Sequence, residues 1–442
     1  MRRKEKKQGW MFAVLSIILV ASVFVSGFRV ISASREIAPR DIMDFTGTYG
    51  IITDRFEQTI FSNDTVLNYD IFGNVIGDGS LIHNSLVYRY VKELSPGPAN
   101  FFTGYRSLEE KPRVMKTTLL SEESQAELAA LFYGKKGCCF SYNYETGEIY
   151  TALSFPAFNL QHEEPSYINR CFDSLYIPGS TMKVITTIVA IDQGIDLDKI
   201  THDCTGTLEL SGGEKIVCAG VHGNVDFTGA IGQSCNCYFA KVAFELNIDE
   251  ALDTLEELGF NVNKEENEKV ETADFMKMVS SVNITNTASF KNVWGFIGQG
   301  DDLVNPVDMA MIAGAIANKG KTAKPYMVES IYNPTKDKNI YEAESEDMVE
   351  LMSSRTAKST AEYWKAGVDK HYYTDQKLSE KVTYAKTGTA EINTENGEIR
   401  NRTLIGIIED SKTAFYIVVE DFGNVSPVEI ANKLADLLPK QN

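Results

Sequence analysis

Pro178-Gly179-Ser180-Thr181-Met182-Lys183-Val184-Ile185-Thr186-Thr187-Ile188-Val189-Ala190-Ile191 is the stretch on which the fold turns. A Pro-Gly turn runs directly into an apolar segment, which predicts a buried helix beginning near Ser180. In such a helix Ser180 and Lys183 lie one turn apart on the same face. An amine is then set beside a hydroxyl. A serine hydroxyl is a weak nucleophile, and a lysine kept neutral by burial can take its proton. A surface lysine on an ordinary helix is the competing reading of this tetrapeptide alone. No other Ser-x-x-Lys occurs in the 442 residues.

Two further elements follow in order, Ser234-Cys235-Asn236 and Lys386-Thr387-Gly388. Lys-Thr-Gly occurs once. Ser-x-Asn also occurs at Ser141-Tyr142-Asn143 and Ser281-Val282-Asn283. The first of these precedes the nucleophile and fails on order. The second lies in a segment rich in Ser, Thr and Asn that reads as a loop. Ser234 is instead followed by an apolar helical pattern, Tyr238 to Phe244, that would hold it on a rigid element.

Ser-x-x-Lys, Ser-x-Asn and Lys-Thr-Gly in this order form the signature set of serine acyltransferases that act on D-Ala-D-Ala peptides and β-lactams. The chain resembles a class B penicillin-binding protein, a membrane-anchored peptidoglycan D,D-transpeptidase, from about Met115 to Leu438. Thr146 to Tyr150 and Ser154 to Asn159 are similar to the family's first strand and the segment after it. Asn169-Arg170, Tyr176 to Gly179, Gly298-Gln299-Gly300, Pro306 and Ala317 to Gly320 are similar to its surroundings of the first and third motifs.

The resemblance implies an α/β (α+β) fold: a mainly antiparallel sheet flanked by helices, with a helical subdomain inside the sequence. It assigns Ser180 as nucleophile and Lys183 as its base. Ser234 relays a proton to the leaving amine beside Lys386, and Asn236 binds the substrate's peptide. Lys386, Thr387 and Thr389 hold the donor's terminal carboxylate, and the oxyanion hole is the backbone N–H of Ser180 and of Thr389. Gly388 carries no side chain because one there would crowd the pocket beneath Ser180. Stem peptides and β-lactams are the implied ligands, a membrane-embedded glycan polymerase the implied partner. No cofactor is expected.

The amino terminus carries Arg2, Arg3, Lys4, Lys6 and Lys7 ahead of an uncharged run that is apolar from Trp10 to Phe28. At about 1.5 Å per residue this run spans about 28 Å, close to a hydrocarbon core. The basic flank places the amino terminus inside and all that follows outside. The expected organisation is a tail at 1–9, a single transmembrane anchor at 10–28, a pedestal at 29–114 and the transpeptidase domain at 115–442. A cleaved signal peptide ending near Ser32-Ala33-Ser34 is the rival reading. Within the pedestal, Gly47 to Arg55 is similar to a family segment whose usual Asn-Gly turn is replaced here by Phe56-Glu57-Gln58, and Ser95-Pro96-Gly97-Pro98 reads as a linker.

A net charge of −18 argues against nucleic acid and against an anionic lipid surface. Seven cysteines make no disulfide framework in a chain of this length. A Cys204–Cys218 bridge would close a short loop and is left open. Cys138-Cys139 read as buried strand residues, Cys235 and Cys237 as packing residues. Neither C-x-x-C nor H-E-x-x-H occurs, so no metal is expected. Ala315 to Thr322 satisfies a relaxed phosphate-loop pattern but follows a helical run instead of opening one, which excludes nucleotide binding. No Gly-x-Ser-x-Gly elbow is present, and the five histidines lie in polar or Gly-flanked contexts that suggest no triad.

Three other activities compete with cross-linking. A D,D-carboxypeptidase would pass the same acyl-enzyme to water. A β-lactamase-like hydrolase would need an activating Glu-x-x-Leu-Asn segment, and none follows Ser234. A non-catalytic β-lactam-binding scaffold would have no need of three intact motifs.

Overall fold

The structure is a computed structural model that describes residues 50–62, 68–77, 84–94, 111–158, 166–210, 212–263, 268–285, 289–344, 348–394 and 397–439. The expected tail, the anchor at 10–28 and the Ser95 to Pro98 linker lie outside these residues. Among the described residues no helix is long and apolar enough to cross a membrane.

The core sheet has five antiparallel strands in the order Tyr384–Thr394, Gly397–Ile408, Thr413–Val419, Gly137–Asn143, Ile149–Phe155. Strands from the two ends of the domain are thus joined where Thr413–Val419 pairs with Gly137–Asn143. Both of these are buried along their whole length. Continuous runs such as Ala414-Phe415-Tyr416-Ile417-Val418-Val419 follow from that, since a strand covered on both faces has no reason to alternate. Cys138 and Cys139 sit in this buried strand.

Between the two halves of the sheet the chain builds the helical subdomain. Its centre is the helix Met182–Asp192, entered through a 3-10 turn at Gly179–Thr181. Every residue from Met182 to Ala190 is buried, so packing overrides the poor helix propensity of its Val, Ile and Thr residues. Thr186 and Thr187 turn their hydroxyls to the carbonyls of Phe296 and Lys183, both at 2.6 Å, which removes the cost of burying them. Asn305 caps the helix Pro306–Ala317, with Pro306 in the first turn. The Asn318-Lys319-Gly320 turn comes after that helix and leads to the strand Lys321–Ala323, as expected of a decoy.

Two findings differ from the sequence reading. Ser281-Val282 is a short strand, paired in parallel with Asn261-Val262, where a loop is expected. Among the described residues the longest helix, Ser354–Asp375, carries no apolar stripe strong enough to announce itself: its buried face includes Thr356, Ala357, Thr360 and Gly367 beside Trp364, Val368 and Tyr372.

A second sheet, in the order Lys338–Glu342, Val328–Asn333, Val114–Thr117, Ile51–Thr53, Thr59–Phe61, draws strands from both sides of residue 114. The helix Tyr69–Ile76 lies against the core domain, with Asn74 donating to the carbonyls of Ser166 and Ile168 and accepting from Phe158 N–H.

Candidate active site

Three segments converge on one cleft. The 3-10 turn supplies Ser180, and the first turn of the helix behind it supplies Lys183. The corner between the helices Phe227–Gly232 and Asn236–Glu245 supplies Ser234 and Asn236. The edge strand Tyr384–Thr394 of the core sheet supplies Lys386 to Thr389. All eight residues singled out in the sequence come together here.

Lys183 is fully buried, and its Nζ has four oxygens around it: Ser180 Oγ and Asn236 Oδ1 at 2.6 Å, and Ser234 O and Ser234 Oγ at 3.1 Å. A neutral amine has two hydrogens and one lone pair. The carbonyl oxygens of Asn236 and Ser234 only accept, so they take the two hydrogens. The lone pair is left to the two hydroxyls, and Ser180 stands closer. Burial, and then the charge of nearby Lys386, hold the Lys183 amine well below its ordinary value. The orientation of Asn236 is fixed from behind, because its Nδ2 donates to Val217 O at 2.8 Å and so turns Oδ1 towards Lys183.

Lys386 is also fully buried, and desolvation lowers it to about 7. Its Nζ donates to Ser234 Oγ at 2.9 Å and to Thr387 O at 2.8 Å. Ser234 Oγ therefore bridges the two lysines, and among the described residues no partner in this network is a carboxylate. Ser234 has φ of +60°, a left-handed conformation uncommon for a residue with a side chain. It is the left-handed residue of the cap that ends Phe227–Gly232, closed by Cys235 N–H donating to Ala230 O at 2.9 Å; that helix crosses the long helix closely, and a Cβ on Gly232 would lie 2.8 Å from Gly367 O.

The edge strand meets the nucleophile turn at van der Waals limits. A Cβ on Gly388 would collide with Thr403 Oγ1 and lie 2.6 Å from Pro178 O and 3.0 Å from Ser180 N. Gly179, at φ of +58°, has no space for a Cβ either, since one would sit 2.8 Å from the backbone N of Thr389. Gln299 Nε2 donates to Thr389 O at 3.0 Å. A residue's N–H and C=O point to the same side of an antiparallel strand, so the Thr389 N–H also faces away from the neighbouring strand. Thr389 is exposed, Thr387 and Ser180 half-buried, and Gly388 buried, so the cleft opens along this strand.

The sequence reading missed Tyr372, on the long helix. Its hydroxyl accepts from Thr387 N–H at 2.9 Å and pairs with Thr387 Oγ1 at 3.1 Å. Trp364, on the same helix, donates to Ala385 O at 2.9 Å. Gly298 was quoted only as a resemblance; it lies against Gly179 O too closely for any side chain.

Although the sequence spacing suggests no metal site, the fold gathers one set of cysteines and histidines. Cys204, Cys218, His222 and Cys235 place their ligand atoms within 4.8 Å of one another, and Cys237 and His202 adjoin them. The Cys204 and Cys218 thiols are free, 3.7 Å apart.

The family model described as the penicillin binding protein transpeptidase domain matches residues 137–436, and the chain belongs to this family. The peptidoglycan D,D-transpeptidase PbpA of Mycolicibacterium smegmatis is 26% identical over 364 residues, covering 74% of this chain and 70% of that one. Stage V sporulation protein D of Bacillus subtilis is 23% identical over 318 residues, 67% of this chain but 48% of the relative. Among solved structures, penicillin-binding protein A of M. tuberculosis as a ceftriaxone acyl-enzyme complex superposes with a TM-score of 0.71 at 21% identity, covering 90% of this chain and 100% of that one. The fold is therefore the penicillin-binding transpeptidase fold.

Proposed function

We propose that the chain is a serine-type peptidoglycan D,D-transpeptidase that cross-links stem peptides and is acylated by β-lactams. The observation that carries this reading is the 2.6 Å contact between buried Lys183 Nζ and Ser180 Oγ, with Ser234 Oγ bridging Lys183 to Lys386. The proton of Ser180 passes to the lone pair of Lys183 while Oγ attacks the carbonyl carbon of the donor's penultimate D-Ala. The N–H groups of Ser180 and Thr389 receive the oxyanion, an arrangement in which each donor is typically worth on the order of 10²–10³ in rate. The C–N bond to the terminal D-Ala breaks, and its amine takes a proton through Ser234, leaving an ester on Ser180. Lys386, Thr387 and Thr389 hold the terminal carboxylate until then, and Asn236 binds the peptide backbone. An acceptor amine attacks the ester, Ser180 regains its proton, and the cross-link is released.

The apolar run at 10–28 with its basic flank supports a single-span anchor and a domain outside the membrane, and the resemblance to class B penicillin-binding proteins supports a membrane-embedded glycan polymerase as partner. Among the described residues no carboxylate hydrogen-bonds Ser180, Lys183, Ser234 or Lys386, which supports transfer to an amine over hydrolysis. Incubation with a D-Ala-D-Ala pentapeptide donor and a labelled acceptor amine tests this. Cross-linked product with release of one D-Ala is expected. Release of D-Ala with no acceptor incorporation at any acceptor concentration would replace the reading by a carboxypeptidase.

A further inference from the structure

We propose that Cys204, Cys218, His222 and Cys235 form a tetrahedral zinc site that clamps the Ser234-Cys235-Asn236 corner of the cleft. A tetrahedral zinc with Zn–S of about 2.3 Å and Zn–N of about 2.0–2.1 Å has S···S edges of about 3.8 Å and S···N edges of about 3.5 Å. The edges Cys204 Sγ–Cys218 Sγ and Cys218 Sγ–Cys235 Sγ are both 3.7 Å, and Cys204 Sγ–His222 Nδ1 is 3.4 Å. A disulfide would bring one pair of sulfurs to about 2.05 Å and leave the others unmatched. The match extends over three edges that share four residues from three segments; Cys237 Sγ, 3.4 Å from Cys218 Sγ, lies just outside them.

The backbone supports the same geometry. Cys204 ends the strand His202–Cys204, and Cys218 follows the strand Lys215–Val217. His222 N–H donates to Cys204 O at 3.2 Å and Cys218 N–H to Gly206 O at 2.9 Å, so the ligands are knitted together before any ion arrives. Cys204 and Cys235 are fully buried, whereas His222 is half-buried and gives the ion its entry. Cys237 serves from outside: its N–H donates to Cys218 Sγ at 3.3 Å, the kind of contact that stabilises a thiolate ligand. Binding takes three thiols as thiolates and the imidazole neutral. Three protons leave as Zn²⁺ arrives, and the site carries a net charge of −1.

The consequence for the cleft is direct. Cys235 stands between Ser234 and Asn236, and Cys218 follows Val217, whose carbonyl fixes the Asn236 amide. Zinc would hold both ends of that contact and keep left-handed Ser234 from relaxing. This effect rests on the transpeptidase reading; the metal site does not.

The test is elemental analysis of the full chain purified in mild detergent, with cobalt exchange. One zinc per chain is expected, and Co²⁺ in its place should give thiolate charge-transfer and tetrahedral ligand-field bands. Cys204→Ser and Cys235→Ser should lose the metal, while Cys171→Ser, at another buried cysteine, should keep it. Stripping zinc should slow penicillin acylation about 10–100-fold, reversed by zinc alone. Wild-type protein that takes up no zinc and shows no cobalt bands, or in which Cys204, Cys218 or Cys235 is isolated in a disulfide, would overturn the site. Zinc bound without any effect of its removal on acylation would overturn the clamp and leave the site. Absence of acylation in the zinc-loaded protein would instead count against the transpeptidase reading.

Discussion

The two walls of the cleft are built on different terms. The sheet-side wall, Gly179 to Lys183 against Lys386 to Thr389, is fixed by hard contact: strand register sets one side, and glycines with no room for a Cβ bring the other against it. The lobe-side wall, Ser234 to Asn236, is a left-handed corner held by hydrogen bonds and by a cluster of cysteines and a histidine. A wall set by close packing tolerates almost no substitution, whereas a wall set by polar contacts loses function in steps. Substitutions on the two sides should therefore fail differently.

The largest effect lies at the base. Lys183→Ala removes the base that faces Ser180 and should slow β-lactam acylation by about 10³–10⁴, within the range of general-base catalysis. Stopped-flow acylation measures this, and a loss below tenfold would contradict the proton path. Asn236→Ala, on the lobe side, removes one of the two carbonyl oxygens that take the hydrogens of Lys183. It should slow acylation by about 10² at a smaller cost in stability, about 1 kcal/mol. Equal losses of rate and of stability would show that this wall too is held by packing.

Gly388→Ala tests the other wall. Its Cβ meets backbone atoms of the nucleophile turn, so the protein should lose about 1–3 kcal/mol of stability in chemical denaturation, with loss of acylation alongside. Unchanged stability would mean that the turn can withdraw, and the contrast between the walls would fall. Tyr372→Phe deprives Thr387 N–H of its acceptor and should cost about 1 kcal/mol, with a weaker hold on the donor carboxylate seen as a raised KM. A normal KM would remove Tyr372 from the account.

The smallest effect is in pH dependence. Lys386 is lowered in the folded state to about 7 from an ordinary value of 10.5. Between those values the unfolded chain binds more protons at this residue, so stability rises with pH there. The penalty of keeping Lys386 charged in the fold is complete below pH 7 and gone above about 10.5. The stability of the wild type relative to Lys386→Met should accordingly improve from pH 7 towards pH 10. A flat difference would mean that water reaches the amine.

The same contrast governs what could be read from the sequence. Ser180, Lys183, Lys386 and Gly388 were legible because their roles follow from neighbours in the chain: one helical turn, or one residue on a strand. Ser-x-Asn was ambiguous at three places, and order and context selected Ser234 without revealing its left-handed backbone, which belongs to the C-terminal cap of Phe227–Gly232, where Cys235 N–H donates to Ala230 O. Tyr372 was hidden on a helix whose buried stripe uses Thr, Ala and Gly. The cluster of cysteines and His222 was missed because a search for C-x-x-C spacing presumes that such residues are close in the chain. Here a folded-back ribbon brings Cys204 to Cys218 and Cys235. Cys218-x-x-x-His222 followed by Cys235-x-Cys237 was the only trace, and it is a faint one. The Ser281 strand was read as a loop because its partner, Asn261-Val262, gives no signal in the local sequence.

The central claim is that Ser180 is the acylated residue of a site that transfers poorly to water. Intact-mass and peptide mass spectrometry of the full chain with a labelled penicillin, followed over hours, tests it most directly. One adduct per chain is expected, on the peptide containing Ser180, absent in a folded Ser180→Ala variant and lasting many minutes or longer. An undiminished adduct on that variant, or rapid turnover with many equivalents of penicillin hydrolysed per second by the wild type, would contradict the account.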